Sequence, residues 1–327
     1  MKPQTYDLIG DIHGQNDKLT ALLEKLGYQP HSGSFRHSEG RKVIFLGDYI
    51  DRGHKVREVL ITVRAMVQAG DALAIMGNHE YNAICYHTPD GKDGWLREHS
   101  EEKNRQVVAT LRAFEGRETE WSNWLEWMKR LPMFLDLGAL RCVHACWDTR
   151  SIKHLIGRSL TKQAFLRASA AETTPENQAI EIVLKGPEIP ASDGNLFRDK
   201  EGTYRDTIRT RWWDIRNGLT ISDLVMPPGS MADAMKVDPS LLNLLPDYGP
   251  EEPPVFFGHY WLPADAPKAP LTINIACLDF SGGLEGPLVA YRWDGERTLS
   301  AENLAAQFLF CKSGDQVWDG SAGFMLR

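Results

Sequence analysis

Five short polar clusters recur along the chain, each directly after an apolar run. They are Gly10-Asp11-Ile12-His13-Gly14, Gly47-Asp48-Tyr49-Ile50-Asp51-Arg52-Gly53, Gly77-Asn78-His79-Glu80, Val143-His144-Ala145 and Gly258-His259-Tyr260. They offer Asp11, His13, Asp48, Asn78, His144 and His259, oxygen and nitrogen donors of hard-to-borderline character. A set of this size suits two divalent cations held side by side. Paired cations activate water and clamp a phosphoryl group during in-line attack. The chemistry expected is hydrolysis of a phosphoester.

Such donors act only if the fold brings them together. Tyr6-Asp7-Leu8-Ile9 reads as a strand, followed by a helix on Leu19, Leu22, Leu23 and Leu26 that closes at Gly27. Residues 41–46 form a second strand, and Val56, Val59, Leu60, Val63 and Val67 a second amphipathic helix ending at Gly70. Residues 72–76 form a third strand. This β-α-β-α-β rhythm implies buried parallel strands with helices on the faces. In open α/β sheets ligands bind beyond the carboxyl ends of strands, where every cluster falls. Glycines beside most of the donors permit the sharp turns this demands.

Past Glu80 the pattern loosens. Residues 98–131 read as charged helix ending in a stripe of Trp121, Trp124, Leu125 and Met128, taken as core rather than as a ligand-stacking face. Residues 140–143 are a strand leading to His144. A helix begins at Thr174-Pro175-Glu176, a cap followed by proline at the first helical position. Residues 226–254, rich in proline and acid, read as a surface loop. Residues 255–257 return to the sheet and present His259. The tail reads as antiparallel strands at 272–275 and 288–293, with Asp294-Gly295 as a hairpin turn.

The 327 residues are 42% hydrophobic and 25% charged, an ordinary globular balance. No apolar run is long enough to cross a bilayer, and a strand starting at Tyr6 leaves no room for a signal peptide. Cys85, Cys142, Cys146, Cys277 and Cys311 are odd in number and form no CxxC pair, which predicts reduced thiols and a cytoplasmic home. The net charge of -7 argues against an extended nucleic-acid surface.

The order GDxHG, GDxxDRG, GNHE, His, GH resembles the calcineurin-like metallophosphoesterases. Within them it is similar to the PPP branch of Ser/Thr protein phosphatases and bacterial diadenosine tetraphosphatases. The resemblance spans residues 10–259. It implies one α/β domain over residues 1–327: a metallophosphoesterase-like β-sandwich flanked by helices, with helical inserts at about 81–140 and 150–254. It assigns Asp11, His13 and His259 to one metal, Asn78 and His144 to the other, and Asp48 to both. The cofactors implied are two divalent ions, manganese first, with iron and zinc as alternatives. His79 becomes the general acid, Asp51 its partner, and Arg52, with Asn78, the contact to substrate phosphate. Arg209 or Arg211, just before Trp212-Trp213, would add a second phosphate contact.

Substrate is less sharply marked. His144-Ala145-Cys146 departs from the His-Gly-Gly of eukaryotic protein phosphatases and is closer to the bacterial diadenosine tetraphosphatase and RNA-repair branch. Asp51-Arg52-Gly53 and Asn78-His79-Glu80 match the protein phosphatases better. The activity expected is hydrolysis of phosphate monoesters, on a protein or a small molecule, by attack of a metal-bridging hydroxide. The alternative is symmetrical cleavage of diadenosine tetraphosphate. A metal-binding scaffold without catalysis finds no support, because no catalytic position is substituted. Glu80 reads as structural, and His54 and His87 as ordinary surface histidines.

Overall fold

The computed structural model describes residues 4–190, 207–226, 237–243 and 245–308, and the backbone of the strand pair Phe197–Arg198 and Tyr204–Arg205. Its larger sheet runs in the order Leu304–Gln307, Leu288–Trp293, Tyr6–Ile9, Lys42–Phe45, Ala72–Ala74. The last three are parallel, with Tyr6 opposite Lys42 and Val43 opposite Ala72. Leu8, Ile9, Val43, Ile44 and Phe45 are fully buried, as continuous apolar strands covered on both faces must be. Asp7 is buried among them, where Tyr28, Arg41 and Arg292 satisfy its carboxylate.

The second sheet is Ile275–Cys277, Val255–Phe257, Arg141–Val143 and Phe134–Asp136, of which the first three are parallel. The two sheets share one apolar core, in which the Phe256 and Tyr291 rings lie 5.0 Å apart. The parallel strands of both sheets end where the five clusters begin. Among the described residues no helix is long and apolar enough to cross a membrane.

Elsewhere the structure revises the sequence reading. The helical stretch 98–131 is two helices, Glu101–Ala113 and Glu118–Met128, broken near Gly116, whose φ is +68°. Trp121, Trp124 and Met128 are core, as expected. Thr174 caps the helix Pro175–Lys185, accepting the Asn177 N–H at 3.1 Å. The strand expected at 272–275 is Ile275–Cys277, and it runs parallel to Val255–Phe257 instead of antiparallel to the tail. Asp294-Gly295 turns the chain but does not close a two-residue hairpin, since Tyr291 pairs with Leu304. Residues 226–254 are more than a loop. The helix Pro239–Leu242 lies there, and Val237, Leu242 and Leu245 are buried in a second, smaller apolar cluster. Residues 227–236 and 244 of that stretch lie outside the described residues, as does Cys311.

Candidate metal centre

The first two clusters interlock through their backbones. Ile12 and His13 donate to the Asp48 carbonyl, Gly14 donates to the Tyr49 carbonyl, and Gly53 donates back to the His13 carbonyl. With this interlocking go unusual dihedrals, φ +45° at His13, +53° at Asp48, +68° at Asp51 and +62° at Arg52, and His259 in the fifth cluster has φ +68°. Such conformations each cost about 1–3 kcal/mol in a non-glycine residue and cluster where side chains must be aimed. Gly77 and Gly258 allow the remaining close approaches, because a Cβ on either would collide with the Asp48 or the Asp11 carboxylate.

Each imidazole is oriented by a partner at its other nitrogen. His13 Nδ1 lies 2.9 Å from the Ile50 carbonyl and His144 Nδ1 lies 2.7 Å from the Leu46 carbonyl. A carbonyl only accepts, so both protons sit on Nδ1 and both Nε2 lone pairs face the site. His259 Nδ1 is 2.8 Å from Asn78 Oδ1, which leaves its Nε2 as the acceptor too. His144 Nε2 meets Asn78 Oδ1 at 2.9 Å and Asp48 Oδ1 at 3.3 Å. His13 Nε2 is 3.4 Å from Asp48 Oδ2. Oxygen and nitrogen donors thus converge on one buried space. Among the described residues, Asp11 Oδ1, His13 Nε2 and His259 Nε2 are buried without a hydrogen-bond partner. Buried polar atoms are rarely left so. The donor set therefore fits metal.

The ligand atoms fall into two groups that share Asp48. Atoms of His13, Asp48 and His79 lie within 4.8 Å of one another, and so do atoms of Asp48, His144 and His259. His259 thus sits with Asn78 and His144, not with His13 as the sequence reading had it. Its link to Asp11 runs through its backbone, whose N–H donates to Asp11 Oδ2 at 3.0 Å.

Charge follows the same geometry. Burial works against the Asp48 carboxylate, but the facing His144, His79 and His13 hold it well below the ordinary carboxylate range. Burial, with repulsion from Asp279, pushes Asp11 well above that range. Burial lowers His13 and His259, helped by the positive Arg52 and Arg209 respectively. His144 also suffers from burial, yet Asp48 beside it pushes it up to about 10. A proton there answers the same converging oxygens that a metal would.

His79 opens the helix Asn78–Tyr86, and its Nδ1 is 2.6 Å from Asp51 Oδ2. Its Nε2 points back toward Asp48, 3.9 Å away. Burial would lower His79, but the charges of Asp48 and Asp51 outweigh it and raise it. The Thr110 hydroxyl holds the other Asp51 oxygen and accepts the Asp51 N–H at 3.0 Å. Thr110 lies on a distant helix with no motif around it, and sequence reasoning did not single it out.

Glu80 is buried and gathers backbone amides: Gly77 and Asp48 at 2.9 Å on one oxygen, Tyr49 at 2.8 Å on the other. Burial and the charge of Asp48 push its carboxyl up to about 7. All these partners are donors, so the geometry serves the carboxylate. Glu80 is the clamp that shapes the Asp48 turn, in line with its structural reading. His87, read from the sequence as an ordinary surface histidine, is instead half-buried, with Nδ1 at 2.9 Å from the Ala83 carbonyl and Nε2 accepting from Trp121.

The structure separates the two arginines that the sequence left equal. Arg211 turns to Asp214, 3.6 Å away. Arg209 ends the strand Thr207–Arg209, and its charge helps lower His259. Arg52 lies over the Trp261 ring, 3.7 Å from its centroid.

Residues 5–148 match the calcineurin-like phosphoesterase family. That stretch of the chain is similar to the calcineurin-like phosphoesterases. Among curated proteins it is similar to the bis(5'-nucleosyl)-tetraphosphatase PrpE (asymmetrical) of Oceanobacillus iheyensis, 44% identical over 152 residues, which is 46% of this chain and 58% of that protein. The protein of the same name from Bacillus subtilis is 46% identical over 74 residues, 23% of this chain and 30% of its own. The chain thus spans between about a third and three fifths of these relatives. A solved structure titled as a putative diadenosine tetraphosphatase covers 93% of the chain and 94% of its own, with TM-score 0.45 and 16% identity.

Proposed function

We propose that the protein is a metal-dependent phosphatase acting on phosphate monoesters. The observation that carries this reading is the pair of ligand groups joined at Asp48, together with buried unpartnered atoms on Asp11, His13 and His259. His13, Asp11 and Asp48 would hold one divalent cation, and Asp48, Asn78, His144 and His259 the other. Manganese is the first choice for this mixed N/O set, ahead of iron and zinc. Such cations supply Lewis-acid activation of water and neutralise charge on the phosphoryl group.

The remaining work falls to the chain. Arg52 presents a planar fork of donors to two phosphate oxygens, and Arg209, at the end of the strand Thr207–Arg209, adds positive charge beside His259. His79, protonated at Nε2 and held at Nδ1 by Asp51, passes its proton to the leaving oxygen. The free, buried Cys85, Cys142, Cys146 and Cys277 support a reducing, cytoplasmic setting.

The relatives' name favours a second reading, cleavage of a dinucleoside tetraphosphate, and specifies the asymmetrical kind rather than the symmetrical one the sequence suggested. One panel separates these. The protein with Mn2+ is given an aryl phosphate, a phosphopeptide and diadenosine tetraphosphate, and the nucleotide products are resolved. Turnover of the first two alone supports the monoesterase. ATP with AMP indicates asymmetrical hydrolysis, and ADP alone symmetrical. Full activity after EDTA and gel filtration would end the metal reading altogether.

A further inference from the structure

The strap that carries His259 also carries an aromatic floor for Arg52. Trp261 follows His259 by two residues, and both have left-handed backbones, with φ +48° at Trp261. The strap is fastened by Asp279, a buried carboxylate on the neighbouring segment. Asp279 Oδ2 accepts the Trp261 N–H at 2.8 Å, and its Oδ1 accepts the Ser281 N–H at 3.0 Å. The Leu262 N–H donates to the Asp279 carbonyl at 3.0 Å, and the Ser281 hydroxyl donates to the Leu262 carbonyl at 3.0 Å. The indole is thereby held at both flanks of its residue.

The Arg52 guanidinium carbon lies 3.7 Å from the Trp261 ring centroid. That is too close for an edge-on approach, in which an N–H would stand between them. The cation therefore rests face-on, and the ring quadrupole attracts it. A stack uses the face of the guanidinium, while its N–H donors lie along the edge. We infer that Trp261 is a positioning residue for the reaction: it fixes the plane in which Arg52 meets the substrate phosphate. This rests on the reading of Arg52 as the phosphate contact. Because one strap delivers both His259 and Trp261, the phosphate-binding cation and the metal cradle keep a fixed register.

The test is a double-mutant cycle on the manganese-loaded full chain, with R52A, W261A, the double variant and W261F. The readouts are kcat and KM on an aryl phosphate, the Ki of inorganic phosphate, and metal content. W261A should raise KM and the phosphate Ki by roughly threefold to thirtyfold, the reach of a cation–π contact, with both metals kept. W261F should recover most of this, and W261A should add nothing in the R52A background. Where W261A loses metal or folds poorly, W261L against W261F makes the same comparison, since leucine fills space without a quadrupole. Equal effects of the Trp261 change with and without Arg52 would overturn the inference and leave Trp261 as packing. An unchanged phosphate Ki in R52A would instead remove the reading of Arg52, and the inference with it.

Discussion

Two apolar clusters of unequal size stand behind the two parts of this molecule. The large one runs through both sheets and lies directly beneath the strand ends that carry Asp11, Asp48, Asn78, His144 and His259. The Leu46 carbonyl holds His144, the His259 amide holds Asp11, the His79 amide holds Asp48, and Asn78 lies between His144 and His259. The small cluster gathers Ile189, Ile208, Leu219, Ile221, Leu224, Val225, Val237, Leu242 and Leu245. Its helices, Ile221–Leu224 and Pro239–Leu242, have four residues each and rest on side-chain caps from Thr220 and Asp238. Next to it in sequence, Trp212 belongs to the large core, where it donates to the Ala145 carbonyl at 2.9 Å and lies tilted against the Phe257 ring. The difference teaches that the metal-facing residues are drawn from the ends of the sheet strands and not from the small cluster. Chemistry and substrate choice should therefore separate by mutation.

The largest effect is expected at the centre of the floor. Asp48→Asn removes a charge shared by both ligand groups, so metal content should fall to one ion or fewer per chain. Catalysis should then drop by roughly 10³-fold or more, since each tenfold is about 1.4 kcal/mol and a metal contributes several. Metal analysis of the purified variant beside its kinetics checks this. Two ions and near-normal turnover would move the bridge elsewhere.

Next comes the acid. His79→Ala should keep both metals and lose roughly 10²–10⁴-fold in kcat. The loss should shrink for leaving groups as acidic as nitrophenol, which need little protonation. A uniform loss across leaving groups of widely spaced pKa would give His79 another task. Its pH signature follows from the charges around it. The acid works while protonated, so activity is lost as pH rises through its raised pKa. Asp51→Asn removes one of the charges that raise it. The alkaline limb of kcat/KM should therefore move to lower pH, and an unmoved limb would uncouple Asp51 from the proton.

Much of the floor was legible because its strands are local and apolar. Residues 6–9, 42–45 and 72–74 announce themselves by continuous hydrophobic runs, and the ligands follow at their ends. What escaped is long-range or unmarked. Thr110 reaches Asp51 across 59 residues, and nothing in its own helix signals it. Trp261 stood two residues from a motif, but only the backbone turn at Asp279 shows that it lies under Arg52. The division of ligands between the two groups also depends on how the sheets meet, and so His259 was misplaced. The small cluster hid in a proline-rich stretch, where apolar residues too sparse to show a period still find one another in space.

The smallest effect on chemistry should come from that cluster. Leu242 is buried in it and belongs to none of the site groups. Leu242→Ala should cost about 2–3 kcal/mol of local stability, the low end for a buried leucine in so small a core. A wall that loosens leaves the floor intact, so kcat/KM on a small aryl phosphate should change by less than about threefold. A large substrate, whether phosphopeptide or dinucleotide, must touch the wall and should lose more. Hydrogen exchange would show faster opening of residues 207–226 and 237–243, with the strand 6–9 unaffected. If both substrates fell alike while metal content held, the insert would be part of the catalytic floor. Arg209, at the border between the clusters, would then be the residue through which it acts.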